Sequence, residues 1–138
     1  MIKKIAATFA AVVATLAVTL APSSPAQAAL QDCTYGSFCL WTGTNFTGAR
    51  FEWSKATIVA QKGITMGSGV SNRGYSFFNR VDQTVTIYDR NDCNYGSSSG
   101  WKRNMVSGQN ATAQGSDWGG RVSSVSLYTY GSQYNCAT

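Results

Sequence analysis

Trp41-Thr42-Gly43-Thr44-Asn45-Phe46-Thr47-Gly48 is the stretch on which the fold turns, because later parts of the chain echo it. At an offset of 48 positions Gly48 falls on Gly96, Trp53 on Trp101, Gln61 on Gln109, Arg73 on Arg121 and Ser76 on Ser124. Gly67-Ser68 falls on Gly115-Ser116 at the same offset, and a one-residue slip lays Leu40-Trp41 on Ile87-Tyr88. The pattern predicts one structural unit of about fifty residues, present twice with its glycines and aromatics in register. Motif one runs over about 33–80 and motif two over about 81–130.

The chain begins as an export leader does. Lys3 and Lys4 precede an apolar run from Ile5 to Leu20, Pro22 to Pro25 break it, and Ala26-Gln27-Ala28 supplies small residues for signal peptidase. Residues 1–28 are therefore expected to be a signal peptide cleaved after Ala28, since the apolar run is short for a bilayer core of ~30 Å. Residues 29–138 are then one small secreted, extracellular domain with no membrane segment. Loss of Lys3 and Lys4 leaves nine Lys/Arg against six Asp/Glu, a net charge of +3. The basic residues are scattered, which argues against nucleic-acid binding.

Four cysteines in a small exported chain read as two disulfides with three possible pairings. Cys33 and Cys39 lie six apart and close a loop on themselves, which leaves Cys93 with Cys136. A zinc site is the competing reading. The chain has no histidine and no C-x-x-C, so disulfides are expected.

After residue 30 no apolar period of helical type persists over three turns. Short alternating runs appear instead, at Phe38 to Trp41, Ala49 to Trp53, Val81 to Tyr88 and Val122 to Tyr130. Val85 and Ile87 share one face of their run, as do Val125 and Leu127, and these four are expected in the core. Fourteen glycines, against two prolines confined to the leader, suit tight turns. The expectation is an all-β, antiparallel Greek-key sandwich. Ala56 to Gly63 reads equally as a helical turn or a loop.

The spacing of Trp41, Phe46 and Gly48, closed by Ser76, resembles the βγ-crystallin Greek key. Tyr88, Tyr95, Gly96 and Ser124 form the second copy. In that family the glycine permits a folded-over hairpin, the aromatics pack against it and the serine hydrogen-bonds it. Cys33…Cys39-Leu40-Trp41 followed by Asn45-Phe46-Thr47-Gly48-Ala49-Arg50 is similar to secreted bacterial proteins grouped as a peptidase-inhibitor family with this fold. The likeness spans roughly residues 33 to 128. It implies inhibition of thermolysin-type metalloproteinases, with a reactive bond that follows a cysteine in a short local disulfide loop. Here that cysteine is Cys93, whose expected partner Cys136 is distant, so the short loop is missing.

Little in the sequence could make or break bonds. Without histidine the usual Ser/His and Cys/His arrangements are excluded, and the thiols are expected to be oxidised. Asp89 and Asp92 are close in sequence but read as solvated turn residues beside Arg90. No enzymatic activity is expected. In βγ-crystallins a six-residue segment of amide or acidic residues and serines holds calcium. Its counterparts, Ser71 to Ser76 and Gly119 to Ser124, lack much of that oxygen set. Asn72, Ser76, Ser123 and Ser124 remain as vestigial candidates, with weak or no Ca²⁺ binding expected and no other cofactor.

An inhibitory loop has to be exposed and pinned, so that binding loses little conformational entropy. It needs a side chain for the specificity pocket and a carbonyl near the peptidase zinc. Cys93, Asn94 and Tyr95 are the candidates. The expected activity is that of a monomeric secreted binding protein, an inhibitor of extracellular metalloproteinases. Alternatives are a cell-surface or carbohydrate-binding module, a killer-toxin-like protein, or a structural protein with vestigial calcium sites. For the second class, Tyr75 to Phe78 and Tyr128 to Tyr130 could expose aromatic rings.

Overall fold

The computed structural model describes residues 25–91, 93, 100–113, 118–128 and 136. A short helix α1 (Pro25–Gln31) leads into β1 (Ser37–Trp41), a 3₁₀ turn (Thr44–Phe46) and β2 (Arg50–Ser54). Then come α2 (Lys55–Ala60), β3 (Ile64–Thr65), β4 (Ser76–Asn79), β5 (Val85–Tyr88), β6 (Lys102–Met105), β7 (Asn110–Thr112) and β8 (Ser124–Leu127). The segment that the sequence left undecided, Ala56 to Gly63, is thus helical as far as Ala60. Ser54 caps it, its hydroxyl accepting from the Thr57 N–H at 3.1 Å.

The strands form two antiparallel four-stranded sheets, ordered β2-β1-β4-β7 and β3-β8-β5-β6. The fold is all-β, and the internal repeat explains its topology. Each motif supplies three strands to its own sheet, β1, β2 and β4 to the first, and β5, β6 and β8 to the second. Each lends its remaining strand to the other sheet, so β3 pairs with β8 and β7 with β4. Neither sheet is complete without the other motif.

Between the sheets lie Phe38, Leu40 and Phe77 from one side and Val85, Ile87 and Val125 from the other, joined by Trp118, Val122 and Met105. All are buried, and Leu127 joins them at the margin. The alternation expected at Val85, Ile87, Val125 and Leu127 is therefore present. β1 is buried along its whole length because its outer face is covered too. There Cys39 and Trp41 pack with Cys33, Phe46 and Phe78. The outer face of β5 has a smaller counterpart made by Tyr88, Cys93 and Cys136.

Both expected disulfides, Cys33–Cys39 and Cys93–Cys136, are formed. Among the described residues no helix is long and apolar enough to cross a membrane.

Candidate functional site

The connections β1–β2 and β5–β6 are built by the same rule from different residues. In motif one the Ser76 hydroxyl donates to the Gly43 carbonyl at 2.7 Å and accepts from the Phe46 N–H at 2.9 Å. In motif two the Ser124 hydroxyl donates to the Arg90 carbonyl and accepts from the Cys93 N–H at 3.1 Å. Both serines are fully buried. Phe46 and Cys93 are therefore equivalent, and both sit at positive φ, 61° and 53°. Such backbone costs a non-glycine residue of order 1–3 kcal/mol, and the serine bonds hold each residue in it.

What the equivalent side chains do differs. Phe46 meets Trp41 edge-on at 5.5 Å between ring centroids. Cys93 instead reaches Cys136 and lies with it against Tyr88, which takes the place of Trp41. A cystine thus replaces an aromatic packing pair. Gly63 makes room for it: a Cβ there would approach the Cys136 Sγ to 2.6 Å.

The bases of the two connections also correspond. The Thr42 N–H donates to the Ala49 carbonyl at 3.0 Å, and the Thr42 Oγ1 accepts from the Ala49 N–H at 3.0 Å. The Asp89 N–H donates to the Trp101 carbonyl at 3.1 Å, and the Asp89 Oδ1 accepts from the Trp101 N–H at 2.9 Å. Asp89 has a second arm that Thr42 lacks: its Oδ2 lies 3.2 Å from the Arg121 Nη2. The Asp89 side chain is only 11% exposed. It is thus not the solvated turn residue expected beside Arg90, because its ion-pair partner comes from a segment 32 residues away.

The ladders correct the fixed offset from the β5–β6 connection into β6. Trp41 pairs with Arg50, nine residues on, and Tyr88 with Lys102, fourteen residues on. The β5–β6 connection is therefore five residues longer, and Trp101 corresponds to Ala49 rather than to Trp53. Gly100 then stands where Gly48 does. Gly48 has φ +79°, and a Cβ there would lie 2.5 Å from the Thr42 Oγ1 that closes the hairpin. Of the expected inhibitory residues, Cys93 is buried and anchored as described; Asn94 and Tyr95 lie outside the described residues, as does Gly96.

The vestigial calcium positions separate into unlike places. Asn72 and Ser123 come together, the Ser123 hydroxyl donating to the Asn72 Oδ1 at 3.1 Å and accepting from the Ser71 hydroxyl at 3.0 Å. With Asp89, Arg90 and Asn91 they line an open polar cleft. Ser76 and Ser124 are committed to their hairpins. The place related to this cleft by the repeat holds Gly119, Gly120 and Tyr75, and a Cβ on Gly120 would lie 2.7 Å from the Tyr75 hydroxyl. A tyrosine fills one site and leaves the other open. Among the described residues no three His, Cys, Asp or Glu side chains gather as metal ligands.

At the opposite end of β1, Glu52 ties the N-terminal loop down. Its Oε1 accepts from the Thr34 N–H at 3.2 Å, and its Oε2 lies 3.4 Å from the Arg50 Nη2. Burial works to raise its pKa. Hydrogen bonds from Thr34 and Ser37 and the charge of Arg50 outweigh this and hold it below the ordinary 4.5. The aromatic patch expected at Tyr75–Phe78 is smaller than the sequence suggested, and of Tyr128–Tyr130 only Tyr128 lies within the described residues. Phe77 is wholly buried, while Tyr75 and Tyr128 are partly exposed. Tyr35, which the sequence reading passed over, is 79% exposed.

The sequence model of peptidase inhibitor family I36 matches residues 26–101, more than half of the chain. The matched stretch ends at Trp101, the far foot of the β5–β6 connection. No curated protein matches the chain.

Proposed function

Since the chain belongs to peptidase inhibitor family I36, we propose that it is secreted and, as a monomer, blocks an extracellular metalloproteinase of the thermolysin type. The membership makes the chain a peptidase inhibitor rather than an enzyme, and a peptidase its partner. The finer reading places the contact in the β5–β6 connection, with Cys93, Asn94 and Tyr95 entering the peptidase cleft. Tyr95 would fill the specificity pocket, and a main-chain carbonyl beside it would face the zinc.

The observation that carries this assignment is the way Cys93 is held. Its N–H bonds Ser124, its sulfur is tied to Cys136, and its side chain is buried. A short local disulfide loop is absent, but an anchor at the same residue is present. Fixing the chain there lowers the entropy lost on binding. We assign the protein no cofactor of its own. Asp89 lines the cleft at Asn72 and Ser123, but it is already engaged by Arg121 and the Trp101 N–H. What remains for Ca²⁺ is neutral oxygen, too little for tight binding.

Titration of thermolysin with the mature protein tests the reading. Stoichiometric inhibition that is weakened by Tyr95→Ala supports it. No inhibition at micromolar protein rejects the metalloproteinase assignment.

A further inference from the structure

We propose that Asp89 and Arg121 form a latch that positions the peptidase-facing connection by fixing its two feet to each other and to the body of the protein. The inference rests on the inhibitor reading above for its purpose, and on the hairpin geometry for its existence. Where motif one closes its shorter connection with the uncharged Thr42, motif two uses a carboxylate with two separate tasks. Its Oδ1 receives the Trp101 N–H, which closes the loop, and its Oδ2 pairs with Arg121, which ties that closure to a distant segment.

The far foot is held a second way, because the Trp101 ring packs against the main core. The near foot is held by Ser124, through the Arg90 carbonyl and the Cys93 N–H. A longer connection carries a larger closure entropy, which rises slowly with length. The added ion pair sits at the connection that is five residues longer. Arg73, the counterpart of Arg121, instead donates to the Gly69 carbonyl at 3.3 Å and takes no part in closing motif one. Hydrogen bonds to charged groups are stronger than neutral ones, and the low exposure of Asp89 preserves that advantage. Asp89 and Arg121 are thus positioning residues. They act through the feet of the connection and touch no peptidase group themselves.

The experiment compares Asp89→Ala, Asp89→Asn and Arg121→Gln with wild type, using Asp82→Asn in the β4–β5 turn as control. The first readout is amide exchange in the free protein at residue 89, whose bond to the Trp101 carbonyl needs no side chain. It should rise about ten-fold in Asp89→Ala, the effect of losing one charge-assisted bond, while amides in β1 and β4 keep their rates. Asp89→Asn keeps an acceptor for Trp101 but loses the ion pair, so it and Arg121→Gln should fall between. The second readout is inhibition of thermolysin. Asp89→Ala should bind about ten-fold more weakly and be cut between Cys93 and Trp101, behaving as a substrate. The control should match wild type in both.

Unchanged exchange at residue 89 overturns the latch, as does a rise spread evenly through β1 and β4, which would make Asp89 a contributor to global stability only. A local rise with undiminished inhibition shows that the latch does not position the contact, and likewise sinks the proposal. A wild type that fails to inhibit removes the metalloproteinase reading, and exchange then decides whether the latch exists.

Discussion

The two hairpins share their serine bonds, their left-handed residue and their closing side chain, yet are finished in opposite ways. Motif one packs Phe46 on Trp41 and closes with Thr42. Motif two replaces the aromatic contact with a cystine and the threonine with an ion-paired aspartate. The difference goes with the length of each connection. The connection from Thr42 to Ala49, seven positions on, is held by local packing. The connection from Asp89 to Trp101, twelve positions on, is anchored at Cys93 by a covalent tie and at its feet by a charge drawn from elsewhere in the chain. The repeat makes the hairpin, and the departures from it set the β5–β6 connection apart.

The largest expected effect tests whether the cystine does more than the aromatic pair it replaces. Converting Cys93 and Cys136 together to serine should lower unfolding free energy in urea by about 2–5 kcal/mol. Phe46→Ala removes a half-buried ring from an exposed hairpin, and should cost about 1–2 kcal/mol. Equal losses would erase the distinction between the two hairpins.

The closing serines come next and should behave alike. Ser76→Ala and Ser124→Ala each leave a buried N–H and a carbonyl without their partner, at about 1–3 kcal/mol. A large loss at one position and none at the other would show that the motifs do not share a hairpin. Gly48→Ala should lie in the same range, about 1–3 kcal/mol, because its φ of +79° and the nearby Thr42 Oγ1 both oppose a Cβ. Chemical denaturation orders all three.

Acidification should weaken motif one through Glu52. The pKa of Glu52 is depressed in the folded protein, so its contribution is present above the unfolded value and lost as pH falls through the folded one. Melting temperature should therefore decline below about pH 4.5, the ordinary glutamate value. Glu52→Gln should be less stable at neutral pH and flatter in that window. A parallel decline in the variant would assign the acid sensitivity to other carboxylates.

How much of this the sequence showed depends on whether the deciding partner was near or periodic. Val85, Ile87, Val125 and Leu127 alternate with polar neighbours, so their burial follows from a period of two. Ser76 and Ser124 fall near one offset because the stretch from Lys102 to Ser124 is four residues shorter than that from Arg50 to Ser76, which offsets most of the longer β5–β6 connection. The same offset misplaces Trp101, since an extension inside a connection changes the numbering without disturbing either sheet. Asp89 was hidden for another reason. Its partner, Arg121, is brought near only by the pairing of β5 with β8. A signal was nevertheless present. The slip that lays Trp41 on Tyr88 also lays Thr42 on Asp89, two side chains able to accept a backbone N–H. Arg121 repeats Arg73, but nothing local distinguishes their partners.

The smallest effect concerns the polar cleft, and it sharpens the comparison where the repeat is most nearly lost. Tyr75 stands where motif two has Ser123, and Gly120 where motif one has Asn72, so of the two related places one keeps an amide and a serine oxygen and the other is filled by a tyrosine. In that place the oxygens already satisfy one another, from Ser71 to Ser123 and from Ser123 to Asn72. A cation would have to break these bonds and compete with Arg121 for Asp89. Binding only to the native state raises the melting point in proportion to saturation, so millimolar Ca²⁺ should leave it unmoved. Asn72→Asp adds a charge beside Ser123 without lengthening the chain, and should introduce a measurable upward shift. A shift in the wild type that Asn72→Ala abolishes would show instead that the open cleft is a working calcium site.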